Sequence, residues 1–91
     1  MEQTIEKINE VLTEIILSKG NNPNEIPIQT GTHLANDLGF TSLDLAQMIV
    51  ELQEKFSYDP LSNGVLLSDI SAVGDLYKIF HLGSIIHITN N

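Results

Sequence analysis

Cysteine is absent from this chain, and basic residues are scarce: four stand against twelve acidic residues, for a net charge of −8. Without cysteine there can be no disulfide framework, no thiolate metal site and no thiol nucleophile. The acidic excess disfavours nucleic acid and anionic membranes as partners and favours proteins with basic docking surfaces. We therefore expect a molecule that binds other proteins and contacts neither nucleic acid nor membrane.

Long apolar segments are missing as well. The apolar segment at 85–88 is far shorter than the roughly 20 residues that span a bilayer as a helix. The N-terminus is acidic and periodic, unlike a secretory signal. These absences predict a cytoplasmic protein. With 91 residues, of which 42% are hydrophobic, the chain is large enough for one small core, which argues against disorder.

A first helix is predicted over residues 4–19, because apolar residues recur there at the spacing of one helix face. These residues are Ile5, Ile8, Leu12, Ile15 and Ile16. Gly20 follows as a C-cap. Residues 21–36 are predicted to form a long loop, in which Pro23 and Pro27 interrupt regular structure. The apolar side chains expected to pin this loop across the helices are Ile26, Ile28 and Leu34.

The second helix is predicted over residues 42–56 and has a recognisable start signal. Thr41 is suited to cap the free backbone N–H groups, and Asp44 three residues later gives a capping box. Ser42 then lies in the first turn, where free N–H groups and the positive end of the helix dipole favour an attached phosphate. From the spacing alone, Ser42 could equally be a serine that only caps the helix.

This helix carries apolar residues on two faces when it is projected at about 100° per residue. The face that would supply the core consists of Leu45, Met48, Ile49, Leu52 and Phe56. On the opposite side lie Leu43, Ala46 and Val50, flanked by Asp44, Gln47, Glu51 and Glu54. An apolar strip with polar edges beside Ser42 predicts a docking surface for partner proteins. The alternative is that the first loop covers this strip.

The last third of the chain is predicted to hold one short helix and a final long one. Residues 57–64 are rich in turn formers, and the apolar residues after them suggest a helical turn or two. Ser71 is suited to cap the final helix, with Asp75 in its first turn. We expect this helix to end near Gly83. The predicted fold is an all-α four-helix bundle over residues 1–83, with three main helices, one short helix and a long first loop, followed by a tail at 84–91.

No catalytic site and no metal site are predicted. The histidines His33, His81 and His87 are scattered and lack a ligand spacing. Gly39 is not placed for a G-x-S-x-G nucleophile elbow, and the pattern identifies no base for Ser42. We therefore expect a protein without catalytic activity of its own.

Residues 38–56 carry the most specific pattern: a leucine–glycine turn, then Ser42-Leu43, then the two-faced helix. Further along, Val73-Gly74-Asp75-Leu76 looks like the start of a matching last helix. In these features the chain resembles the acyl carrier and peptidyl carrier family, over about two thirds of its length. The residue before the serine is most often Asp or His in that family, and here it is Thr41.

The resemblance implies a function. A Mg²⁺-dependent phosphopantetheinyl transferase would attach 4′-phosphopantetheine from coenzyme A to Ser42, and the arm's thiol would hold cargo as a thioester. The implied protein is a free-standing, monomeric acyl, aminoacyl or peptidyl carrier. Its further partners would be an acyl- or aminoacyl-loading enzyme and a downstream synthase or transferase. The residues near 59–61 resemble carriers of polyketide and nonribosomal peptide assembly. The competing hypothesis is a carrier-like module that is never loaded and only recruits a partner enzyme.

Overall fold

Three α-helices form the protein in the computed structural model, which describes the backbone of residues 2–89 and the side chains of residues 2–83. They are α1 (Glu2–Ser18), α2 (Ser42–Phe56) and α3 (Val73–Thr89). The predicted short fourth helix is a pair of 3₁₀ turns, Leu61–Asn63 and Leu67–Asp69. No strand occurs within residues 2–89, where a single isolated bridge joins His33 and Ala72. The all-α prediction is therefore confirmed.

The core lies where α1 packs against both α2 and α3. The predicted apolar faces of α1 and α2 meet apolar residues of α3 there, with Ile5, Leu45 and Phe56 only partly buried. Their fully buried side chains include Ile8, Leu12, Ile15, Met48, Leu52, Leu76 and Phe80. Burial of such side chains stabilises a fold by about 1.5–3 kcal/mol each relative to exposure. None of the helices in the described part of the chain combines the length and hydropathy that a bilayer span requires.

The end of α1 follows the prediction. Gly20 has a φ of 80°, a left-handed conformation that favours glycine. Its N–H donates to the carbonyl of Leu17, and the N–H of Asn21 donates to the carbonyl of Ile16. This pair of hydrogen bonds is a Schellman motif, which satisfies carbonyls at the end of the helix.

The first loop is held mainly by backbone hydrogen bonds, which apolar spacing could not predict. The N–H of Leu34 donates to the Ser71 carbonyl at 2.9 Å, and the N–H of Val73 donates to the Thr32 carbonyl at 2.9 Å. Leu34 is buried as expected. The expected anchoring role of Ile26 is wrong, because its side chain is 38% exposed.

The start and the end of α3 both differ from the prediction. Ser71 does not cap the helix by accepting a hydrogen bond; its hydroxyl donates to Asp75. The Asp75 carboxylate is the cap, since it accepts the N–H groups of Ser71 and Ala72 at 3.0 and 2.9 Å. The helix also continues past Gly83 to Thr89. Of the expected tail, residues 84–89 are therefore helical, and residues 90–91 lie outside the described residues.

Candidate functional site

Ser42 is the first residue of α2, and a tight turn leads into it. The turn closes because the Asp37 carboxylate accepts the N–H of His33 at 2.7 Å and His33 Nδ1 accepts the N–H of Asn36 at 3.0 Å. Gly39 completes the turn with a φ of 71°. The side chain of Phe40 is then buried in the core. Because Phe40 is anchored in the core two residues before Ser42, the chain reaches the surface at a defined point, at Thr41.

The start of α2 has the predicted capping box. Thr41 has extended backbone angles, and its hydroxyl accepts the N–H of Asp44 at 3.2 Å. In return, the Asp44 carboxylate accepts the N–H of Thr41 at 2.8 Å. The two hydrogen bonds join Thr41 to Asp44, so they fix the backbone of the residues between them, including Ser42. The prediction for Thr41 and Asp44 as helix-start residues of α2 agrees with this geometry.

An ion pair that the sequence did not predict lies beside the capping box. Lys19, just beyond α1, places its Nζ atom 2.7 Å from Asp44 Oδ2. The two side chains are 24% and 15% exposed. The pKa of Asp44 is lowered, mainly by the hydrogen bond from Lys19 and next by the hydrogen bond from the Thr41 N–H. The pair therefore ties the end of α1 to the start of α2.

The Ser42 side chain itself is exposed. Among residues 2–83, no side chain or backbone group forms a hydrogen bond with its hydroxyl. The N–H groups of the first turn have no intrahelical acceptors, as at every helix start, so they favour an anion attached here. The arrangement suits a hydroxyl that another enzyme approaches and modifies with a phosphate group.

The outer side of α2 is apolar and uncovered. Leu43 is 77% exposed and Val50 is 53% exposed, and Ala46 between them is also exposed. We call these three residues the outer strip. The flanking side chains of Gln47 and Glu54 are exposed too. The two-faced prediction for α2 is therefore confirmed, and the alternative that the first loop covers this strip is wrong.

A cleft of about 260 Å³ lies between the end of α1, the first loop and the turn before Ser42. Buried Ile16 and Leu38 contribute apolar surface to it, and Asn21 and Asn36 contribute polar surface. Gly39 also lines it. Sequence analysis missed this cleft because its lining residues come from three separate segments.

Within the described residues, no group of three or more His, Cys, Asp or Glu side chains could hold a metal ion.

These features define a small helical bundle that displays one serine at a capped helix start. A comparison with protein-family models matches residues 10–78 to the family described as the phosphopantetheine attachment site, and the chain belongs to this family. The resemblance to acyl and peptidyl carrier proteins is thereby confirmed. Neither the curated proteins nor the solved structures contain a significant match.

Membership of this family establishes a carrier role. The family's prosthetic group is 4′-phosphopantetheine, attached covalently to a serine. Carrier domains of this kind typically catalyse no reaction themselves and interact with phosphopantetheinyl transferases and synthase enzymes. Ser42 fits the group, because its hydroxyl is exposed, its helix start favours a phosphate, and the Lys19 ammonium lies beside the same turn.

Proposed function

We propose that Ser42 is the serine that carries the phosphopantetheine arm. The observation that carries this assignment is its position: an exposed hydroxyl at the first residue of a capped helix, within the segment 10–78 that matches the family. The transferase would form a bond between Ser42 Oγ and the phosphorus atom of coenzyme A that carries the pantetheine. The bond from that phosphorus to 3′,5′-adenosine diphosphate breaks, and a base of the transferase takes the serine proton.

The residues around Ser42 prepare it for this reaction. Thr41 and Asp44 hold the first turn of α2 in place, so the backbone of Ser42 is presented in one position. The free N–H groups at the helix start stabilise the negative phosphate by about 0.3–1 kcal/mol at an exposed site. When bound, the arm supplies the thiol that holds an acyl or aminoacyl cargo as a thioester.

The outer strip is the surface that we assign to partner enzymes. Leu43 adjoins Ser42, and Ala46 and Val50 continue the strip along α2. Exposed apolar surface rimmed by polar residues such as Gln47 and Glu54 is typical of docking sites. Docking there brings the tethered cargo to each enzyme at a high effective concentration, which is how a carrier without catalysis accelerates a pathway.

The finer proposal is a free-standing, monomeric, cytoplasmic carrier of polyketide or nonribosomal peptide assembly, with residues 1–83 as the carrier domain and 84–91 as an extension. The segment after α2 supports this pathway class, because residues near 59–61 resemble those of polyketide and nonribosomal peptide carriers. There Asp59 accepts hydrogen bonds from Gln53 and from the Ser62 hydroxyl at 2.8 and 2.6 Å. Intact mass spectrometry of the protein purified from its host would test whether it is free-standing and which cargo it holds.

Attachment at Ser42 is tested by incubating the protein with coenzyme A, Mg²⁺ and a promiscuous transferase. Intact mass should rise by one phosphopantetheine group in the wild type and stay unchanged in Ser42→Ala. Ser68→Ala is the matched control, because Ser68 is also exposed and lies within the same family match. A wild-type mass that stays constant with several transferases, and in the native host, would favour the unloaded interaction module instead.

A further inference from the structure

The charge beside Ser42 differs from the charge of the chain as a whole. The net charge of −8 by itself favours partners with basic surfaces. The first nine residues of α2, however, hold a single charged residue, Asp44. The next carboxylate on this helix belongs to Glu51, about 14 Å along the axis from Ser42. The Debye length is about 10 Å at 0.1 M salt, so the charge of Glu51 is largely screened from Ser42.

The carboxylate of Asp44 is already paired within the protein. The Nζ atom of Lys19 lies 2.7 Å from Asp44 Oδ2, and the same oxygen accepts the N–H of Thr41 at 2.8 Å. The Asp44 side chain is 15% exposed. The backbone of Lys19 is held as well, since its N–H donates to the Ile15 carbonyl at 3.1 Å. A basic side chain of another protein would therefore have to displace Lys19 in order to pair with Asp44.

Asp37 is the nearest carboxylate before Ser42 in the sequence, and it lies on the first-loop side of the turn. Its side chain accepts the N–H of His33 at 2.7 Å. It also lines two clefts together with Ile26 of the first loop. The charge of Asp37 is therefore placed against the first loop, and the residues of the outer strip line neither of these clefts.

The side chains that an approaching enzyme meets beside Ser42 are uncharged. Leu43 is 77% exposed, and Ala46 and Gln47 are exposed on the next turn of α2. An apolar surface gains free energy when it covers such side chains. A lysine or arginine pressed against them would lose its hydration without gaining an ionic partner, which is unfavourable. Complementarity at this point therefore favours an apolar, uncharged partner surface.

We propose that Lys19 determines which partner enzymes can approach Ser42. Lys19 holds Asp44 in an internal ion pair and so leaves Leu43 as the main contact beside the serine. This contact fits an enzyme whose docking surface is apolar and uncharged around its active site. An enzyme that relies on basic residues at this point meets Asp44 only as part of the ion pair. The inference rests on the proposed attachment at Ser42.

The test measures kcat/KM for phosphopantetheine transfer by two transferases, one with an apolar docking surface and one with a surface rich in arginine and lysine. With the basic enzyme, Lys19→Met should raise kcat/KM about two- to fivefold at about 0.1 M salt, the range expected for one exposed ion pair. The gain should vanish at about 1 M salt, where the Debye length is about 3 Å. The apolar enzyme should show no such gain.

Two further variants isolate the charge of Asp44. Lys55→Met changes the net charge equally at the opposite end of α2 and should give no gain with the basic enzyme. The double variant Lys19→Met/Asp44→Asn restores an uncharged helix start and keeps an oxygen for the Thr41 N–H, so kcat/KM should return to the wild-type value. The role of Lys19 would be overturned if Lys19→Met gave no gain, or if Lys55→Met gave an equal one.

Leu43→Ser tests the apolar contact with the apolar enzyme. KM for the carrier should rise about tenfold, because the burial of a leucine side chain is lost. An unchanged KM would overturn the assignment of an apolar partner surface beside Ser42. A wild-type protein that neither transferase modifies would instead contradict the attachment itself, so the two failures are distinguishable.

Discussion

The ring of Tyr58 covers Gly83 of α3 so closely that a methyl group at residue 83 would collide with ring atoms Cε2 and Cδ2. The same ring stands edge-on to Phe80, with 6.1 Å between the ring centroids. Phe80 in turn lies 5.0 Å from the ring of Phe56. The segment after α2 is therefore packed onto α3 at a point where only glycine fits.

Gly83→Ala should lower the free energy of unfolding by about 1 kcal/mol. Overpacking costs about 1–3 kcal/mol, which outweighs the gain of up to about 1 kcal/mol from helix propensity. Urea unfolding measures the change. Gly31→Ala is the control, since a Cβ there meets nothing within 4 Å. In a Tyr58→Ala background, Gly83→Ala should instead be neutral or stabilising, and an equal loss in both backgrounds would contradict the packing explanation.

Asp75→Asn should destabilise the protein at neutral pH by about 0.3–1 kcal/mol, because it keeps an oxygen acceptor but removes the negative charge at the start of α3. The pKa of Asp75 is lowered, first by the hydrogen bond from the Ala72 N–H and then by the one from Ser71. A lowered folded-state pKa gives stability that is present above the unfolded value of about 3.9 and is lost as pH falls through the folded value.

The difference in unfolding free energy between wild type and Asp75→Asn should therefore have its maximum value at pH 7 and decrease in strong acid. Urea titrations across the acid range measure it. Glu25→Gln, a change at an exposed loop carboxylate, is the control and should show no such loss at pH 7. A difference that stays constant with pH would argue against the capping role of the ionised carboxylate.

Thr41→Val should remove the capping box and lower stability by about 0.5–2 kcal/mol, because the hydroxyl that accepts the Asp44 N–H is lost. For a domain of this size, 1 kcal/mol corresponds to roughly 4–8 °C in Tm. Thr41→Ser and Thr41→Asp retain an oxygen acceptor and should unfold close to the wild-type temperature. Equal Tm values for the Val and Ser variants would count against this capping interaction.

Val50→Asp should leave the fold intact and weaken the binding of partner enzymes to the carrier. The side chain is 53% exposed, so the charge is tolerated in the free protein, but docking would bury it against apolar surface. We expect KM for the carrier to rise about tenfold, which is about 1.4 kcal/mol. Leu82→Asp is the matched control, with a side chain 57% exposed on α3. If both variants raised KM equally, the outer strip would not be the docking surface.

The sequence predicted the parts of the protein that depend on neighbours along the chain. The apolar spacing of α1 and α2, the Gly20 cap and the capping box around Ser42 all involve residues within about one helical turn of each other. The exposure of the outer strip followed from the same periodicity, because α2 can turn only one side to the core. The predicted helix end at Gly83 was wrong, because α3 continues to Thr89 and the glycine is required by the close packing of Tyr58.

Ser42 at the start of an amphipathic helix was thus determined by the sequence itself. Tertiary structure alone decided that Lys19 meets Asp44 across 25 residues of chain, that the first loop bonds to the start of α3, and that a cleft opens beside Gly39. These contacts join segments that are distant in sequence. Their geometry depends on how the helices pack, which local propensity and periodicity do not encode.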